Sequence, residues 1–309
     1  MRIIDNFEIQ LYNKELARQN LHKQKNKRKQ CVNNLDEYFQ VEELTCGKKI
    51  KVYEINDIPH LIQFIGYCKY VNREYGVLLR GQSKLYKYNE KVIMEPSLYR
   101  KISENETNAH DAKYQKHIDI VKRNKTKSLN YEIDIFDSLL QHYGLKTNQI
   151  DVVDNLWVSL WFACHYCDSV VVGNHEYIKY CQSSEEYGYL FLLASDADAS
   201  SSNGIYRGKM TTLVDLRKAV PSTFIRPHAQ HAFMITKNNK YESDYTDLIA
   251  GIIKIKTANI LSWIGNSGLL SAGNLFPSPI YDDGYAMLLN KFKIINGEIE
   301  KYGSIQIIT

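Results

Sequence analysis

The sequence predicts an α+β domain, on three observations. Short apolar, β-branched or aromatic runs at 77–82, 150–153, 188–194, 230–236 and 249–256 have the length of strands. Helix-period segments with recognisable end signals stand among them. The two kinds do not alternate in the regular βαβ order that builds a parallel sheet.

The elements follow in chain order. Residues 14–29 carry Lys14, Arg18, Lys23, Lys25, Lys27, Arg28 and Lys29 against Glu15 alone. Such a segment is either a phosphate-touching arm or a solvated face. A first break at Gly47-Lys48-Lys49 divides a basic helical extension, 1–49, from a main domain, 50–309. Asp57 is placed as an N-cap, with Pro59 just inside the helix, where its missing N–H costs little. Leu61, Phe64, Ile65, Cys68 and Val71 recur at helical spacing, and Gly76 closes that helix. Residues 106–124 are polar and helical in character. A second helix is expected over 131–143, with Ile135, Leu139 and His142 on one face and Gly144 as its stop. A third, over 156–167, has almost no polar face and reads as buried, with Asp154 or Asn155 as its cap. Residues 199–204 read as a loop and 282–292 as a last helix.

Composition limits the class of molecule. At 309 residues, 44% hydrophobic and 24% charged with a net charge of +4, the chain can bury a sizeable core. A collagen-like, disordered or disulfide-stapled chain is excluded. The six cysteines are scattered, as in a reduced protein. No apolar run approaches the roughly 18 residues of a membrane helix, and the first residues lack a signal-peptide core. The expectation is a cytoplasmic protein without a membrane partner.

Four segments are chemically unusual. Arg80 ends an apolar strand, so its guanidinium must either pair with a carboxylate or offer its fork to an anion such as a diphosphate. Gly81, next to it, allows close backbone approach. In Gln141-His142-Tyr143-Gly144-Leu145 the imidazole and phenol rings either line a pocket or fill space under the following loop. Asp151 lies among apolar residues and needs partners, Arg80 being one candidate. In 226–233, polar His228 and Gln230 alternate with small or apolar residues, as on a strand with one polar face. Cys164-His165-Tyr166-Cys167 lacks a second matching ligand pair, so no metal site is assigned. No Walker-type loop, Gly-x-Gly-x-x-Gly or serine elbow is present.

These segments, in this order, resemble the FRG domain, a family named for a Phe-Arg-Gly motif. Leu79-Arg80-Gly81-Gln82 is similar to its Phe-Arg-Gly-Gln, and Glu95-Pro96-Ser97-Leu98-Tyr99-Arg100 to its Pro-Ser-Leu-Phe-Arg. Residues 141–163 resemble its Gln-His-Tyr-Gly-Leu-Pro-Thr, Leu-Asp-Trp-Thr and Val-Ala-Leu-x-Phe-Ala. Residues 226–233 resemble its Arg-x-x-x-Gln-x-Gly-x-Phe, and Phe276-Pro277 its C-terminal end. The likeness spans about 57–292. The chain departs at Val152 and Val153, where the family has Trp and Thr.

The resemblance implies a layout similar to ADP-ribosyltransferases: split antiparallel sheets with flanking helices, gripping NAD as substrate. Arg80, Asp151 and Gln230 would be catalytic, and Arg80, Gly81, Gln82, His142 and Tyr143 would bind NAD. Within that layout Arg80 would hold the diphosphate, Tyr143 stack on nicotinamide, Asp151 supply negative charge and Gln230 hydrogen-bond a ribose hydroxyl. The last position is usually Glu in those enzymes, and here it is Gln. The implied activity is ADP-ribosyl transfer to a protein or nucleic acid, in a toxin or phage-defence setting with an antitoxin or regulator as partner. Two rivals are a non-catalytic nucleotide- or nucleic-acid-binding module and a nuclease using His142 and His228 as acid and base.

Overall fold

A computed structural model describes residues 39–72, 77–100, 112, 114–116, 118–119, 122, 130–172, 175–196, 203–239, 241–265 and 268–292. The basic segment 14–29, Gly76 and most of the 199–204 loop lie outside them. The described residues within 106–124 are helical.

The fold is mixed α+β, built on one large sheet. Nine strands form it: β1 (Phe39–Glu43), β2 (Lys49–Glu54), β3 (Leu78–Gln82), β6 (Ile150–Val153), β9 (Tyr187–Leu193), β10 (Ile205–Arg207), β11 (Thr211–Asp215), β12 (Ala232–Lys237) and β13 (Ile249–Lys256). Their spatial order is β1-β2-β13-β9-β3-β6-β12-β11-β10. Neighbours run antiparallel except β2 and β13, which are parallel. The expected pair of separate antiparallel sheets is therefore replaced by a single mixed one. Its halves stay joined because β3 and β6 still share one paired position, Leu79 opposite Val153. Two small hairpins stand apart, β4 (Lys87–Tyr88) with β5 (Lys91–Val92), and β7 (His165–Val172) with β8 (His175–Gln182). The Gly47 break is the turn of the β1–β2 hairpin, so β1, before residue 50, is an edge strand of the sheet.

The helices expected after Asp57 and over 131–143, 156–167 and 282–292 all form, with small shifts at their ends. In α1 (Ile58–Val71), the Asp57 carboxylate accepts from the His60 N–H at 3.0 Å, and Pro59 occupies the first turn. Helix α2 (Ile133–His142) buries Ile135, Phe136, Leu139 and Leu140. Helix α3 (Leu156–Cys164) starts at Asn155, whose side chain accepts from the Trp157 and Val158 N–H groups. It ends at Cys164, three residues short of expectation, because the chain turns extended at His165 to begin β7. Cys164 is thus buried under the helix while Cys167 lies exposed on the strand, and the two share no helix face. Short helices α4 (Leu216–Ala219), α5 (Ile225–Ala229), α6 (Thr257–Ile264) and α7 (Ala272–Leu275) follow, and α8 (Asp283–Phe292) closes the described chain. No described helix is long and apolar enough to cross a membrane.

Packing divides unevenly between the two faces of the sheet. One face carries a continuous core through Leu78, Val152, Phe191, Phe233 and Ile252. The other carries two. The first packs α1, α3 and α6 over Leu79, Leu190 and Ile253. The second packs α2, α4 and α8 around Ala232 and Met234. Between these two cores the helices leave the sheet uncovered at the β3–β6 junction.

Helix α3 lies so close to the sheet that two strands meet it with glycine. A Cβ at Gly81 would sit 1.9 Å from the Ser159 carbonyl oxygen and 2.8 Å from the Ala163 nitrogen. One at Gly188, on neighbouring β9, would sit 2.3 Å from the Ala163 oxygen. The close approach that Gly81 permits is thus to a helix backbone. Gly81→Ala should cost about 3 kcal/mol by overpacking, read as a lowered urea midpoint with an unchanged slope; an unchanged midpoint would contradict this contact.

Candidate functional site

The gap between the two cores is a cavity of about 290 Å³. Leu79, Arg80 and Gly81 of β3 and Asp151, Val152 and Val153 of β6 form its sheet side. His142 closes it from α2, Trp161 and Phe162 from α3, Gln230 from the end of α5 and Ala232 from the start of β12. His165, Cys167 and Tyr180 of the β7–β8 hairpin and Phe276 complete it.

Arg80 holds the junction together. Its Nη1 donates to the Asp151 carbonyl at 2.7 Å and lies 3.8 Å from the Asp151 carboxylate. The side chain is 16% exposed. Burial pulls its pKa down and the Asp151 charge opposes that; a guanidinium stays charged through such a shift. The side chain of Asp151 is 52% exposed, and its carboxylate accepts from Gln141 Nε2 at 2.9 Å. Gln141 is itself fixed by Thr147, whose hydroxyl donates to Gln141 Oε1. Asp151 is left free of capping, since Asn155 serves α3.

His142 and Tyr143 separate here. His142 lines the cavity and is buried, with Nε2 unpartnered. Burial, reinforced by the Arg226 charge, pushes its pKa down to about 3. Tyr143 does not reach the cavity. Its hydroxyl donates to buried Asp282 at 2.5 Å, and its ring meets Phe224, Tyr285 and the Arg226 guanidinium, 4.8 Å away. The expected stacking role of Tyr143 is therefore corrected: both the ring and its polar end are consumed in the second core. Arg226 sits among Tyr143, Phe276 and Tyr285 and donates to the His142 carbonyl at 2.8 Å.

Gln230 lies in the cavity but not on a strand. Residues 225–229 form α5, Gln230 is its C-cap, and His231 follows with φ 52 before β12 begins at Ala232. The polar alternation in 226–233 is thus a helix end and a left-handed turn. That turn is held by Arg217, which chelates Asp215 and reaches both Asp154 and His231. Gln230 Nε2 donates to the Leu275 carbonyl at 2.6 Å. His228 and Gln82 do not line the cavity, so the binding role expected of Gln82 has no support in its placement.

The aromatic wall was not foreseen. Trp161 stacks on His165 at 4.2 Å, and Tyr180 on Phe276 at 4.0 Å. His165 donates through Nδ1 to the Trp161 carbonyl at 2.9 Å. Trp161, His165 and Tyr180 also border a second, more polar cavity of about 730 Å³, running over Lys179, Gln182, Gly268 and Ser271. A hairpin signal was available: the β-branched run Val170-Val171-Val172 ends in Gly173-Asn174 before a second alternating stretch. Among the described residues, no group of His, Cys, Asp and Glu could hold a metal ion.

The depressed His142 pKa has a consequence for stability. The unfolded chain binds a proton near pH 6.5 that the folded chain refuses until about pH 3. This contribution is present above pH 6.5 and is lost as pH falls from there toward 3. In His142→Asn, stability measured by urea unfolding should fall less steeply across that window than in the wild type. Parallel curves would contradict a buried neutral ring.

No curated protein and no solved structure matches the chain significantly. A protein-family model does match. It spans β3 with Arg80, the Gln141–His142 helix end, Asp151 and the whole of α3, and reaches into β7. It leaves out Gln230, Tyr180 and Phe276, which come to the cavity from later in the chain. Residues 76–170 match the family model of the FRG domain.

Proposed function

We propose that the cleft binds NAD and supports ADP-ribosyl transfer to a macromolecular acceptor. One observation carries the reading: Arg80, Asp151 and Gln230, from β3, β6 and the end of α5, line one cavity beside an aromatic wall. A fixed cation, a half-exposed carboxylate, an amide and flat rings are what a diphosphate, a ribosyl centre and two bases require.

The chemistry follows from these groups. Nicotinamide leaves C1′ of its ribose through an oxocarbenium-like state, comparable to glycoside hydrolysis. The Arg80 fork suits a diphosphate oxygen and would fix the dinucleotide. Asp151, negatively charged and held by Arg80 and Gln141, would face the developing cation. Trp161, Tyr180 and Phe276 would take the stacking role denied to Tyr143. The cavity is at the small end of ligand sites, with room for a head group rather than a dinucleotide. The remainder of NAD would pass over the Trp161–His165 stack into the larger neighbouring cavity.

A second reading is favoured by Gln230. Its amide is tied to the Leu275 carbonyl, and the position lacks the carboxylate that would activate an acceptor. A module that binds NAD or another nucleotide without transfer uses the same cleft. The nuclease reading loses its acid–base pair, because His142 is held neutral and His228 does not share the cavity.

Incubation with labelled NAD and cell lysate separates these. Transfer predicts labelled acceptor with wild type, at least about 100-fold less with Arg80→Ala, and a partial loss with Arg80→Lys, which keeps charge but not the fork. NAD binding without consumption moves the function to the binding module. Absence of NAD binding overturns transfer and leaves the binding module only with another nucleotide.

A further inference from the structure

Two buried polar atoms of residues lining this cavity have no hydrogen-bond partner, the donor Arg80 Nε and the ring nitrogen His142 Nε2, and of the two only His142 can accept. It is 8% exposed, it lines the pocket, and its Nε2 has no hydrogen-bond partner. Buried polar atoms without partners are uncommon in folded chains and call for an explanation. The surroundings limit what this ring can be. Burial and the neighbouring Arg226 guanidinium keep it uncharged, so it carries one N–H and one bare nitrogen. The ring hydrogen-bonds the Arg226 backbone, and that bond favours the protonated side, as donation to a carbonyl does. Since Nε2 has no partner, the N–H is spent through Nδ1 and the lone pair remains on Nε2.

We propose that His142 Nε2 is a specificity determinant: a bare acceptor that selects a ligand head group presenting a hydrogen-bond donor, as the NH₂ of a carboxamide does. This rests on the NAD reading and deepens it. Among the acceptors lining the cavity, His142 Nε2 is the one that is both buried and without a partner. Arg80 offers only donors, and Asp151, whose carbonyl accepts from Arg80 and whose half-exposed carboxylate accepts from Gln141, is a charged acceptor open to solvent rather than a buried neutral one. Gln230 donates its NH₂ to the Leu275 carbonyl, which leaves its Oε1 as a further acceptor beside His142. A head group with only acceptors, such as a methyl ketone in place of the carboxamide, would bury two lone pairs against each other. A site built around a hydrogen bond rejects an analogue lacking its partner far more strongly than an apolar site does.

The test measures binding rather than turnover, by quenching of tryptophan fluorescence and by calorimetry. The probes are NAD and its 3-acetylpyridine analogue, which carries a methyl ketone where NAD has the amide. Wild type should bind NAD about 10- to 100-fold more tightly than the analogue. His142→Asn keeps an N–H near the Nδ1 position and removes the unpartnered nitrogen. It should bind the two probes equally, with NAD weakened. His142→Gln, which restores a polar atom near Nε2, should recover part of the preference. Circular dichroism and thermal unfolding confirm that both variants are folded. Equal binding of the two probes by wild type, or an unchanged preference in His142→Asn, overturns the role of His142 while leaving the NAD reading intact. Binding of neither probe by wild type overturns both.

Discussion

The structure depends on what happens between β3 and β6. Within a sheet, neighbouring strands are joined by a repeating backbone ladder. Here the ladder is reduced to Leu79 opposite Val153. Arg80 Nη1 supplies the missing donor by bonding the Asp151 carbonyl. One side chain therefore does for the sheet what a backbone N–H normally does, and it brings a positive charge to the place where the strands part. The split is shallow enough to keep nine strands continuous and deep enough to open a cavity. Asp151 follows from the same arrangement, since the residue whose carbonyl accepts from Arg80 also presents its carboxylate to the opening.

The two cores on one face of the sheet explain why the opening persists. Helix α3 is drawn tightly onto β3 and β9 through Gly81 and Gly188, with α1 and α6 in the same core. Helices α2, α4 and α8 assemble over β12. Each group reaches the junction only at its edge, with His142 from α2 and Trp161 and Phe162 from α3, and rings of the β7–β8 hairpin and Phe276 complete the cover. Behind them the walls are fixed by satisfied polar groups. Asp282 accepts from Tyr143, Tyr285 and Arg226, and Arg217 binds Asp215, Asp154 and His231. A rigid frame around a partly open polar cleft is the arrangement that favours preorganised binding.

The elements with strong local signals were legible in the sequence. Asp57 and Pro59 fixed the start of α1, and the apolar 156–164 stretch announced a buried helix. Arg80 was legible as an anomaly, a charge at the end of an apolar strand, and Asp151 as its possible partner. What was not legible depended on three-dimensional context. Tyr143 and His142 are adjacent in sequence, yet a helix end sends one ring into the second core and the other to the cavity lining. Gln230 reads as a strand residue by alternation, whereas Arg217 and a left-handed His231 make it the end of a helix. Gly81 reads as a place for a ligand, whereas α3 fills that space. Tyr180 arrives on a hairpin that had a turn signal but no chemical motif.

The central claim is that the parted β3–β6 junction is where this protein meets its ligand. Hydrogen–deuterium exchange with and without NAD tests it most directly, because it reads every backbone segment at once. The account predicts added protection in 78–82, 150–153, 161–167, around Tyr180 and at 275–277, with the edge strands β1 and β10 unchanged. Protection confined to the edge strands, or none at saturating NAD, would contradict it.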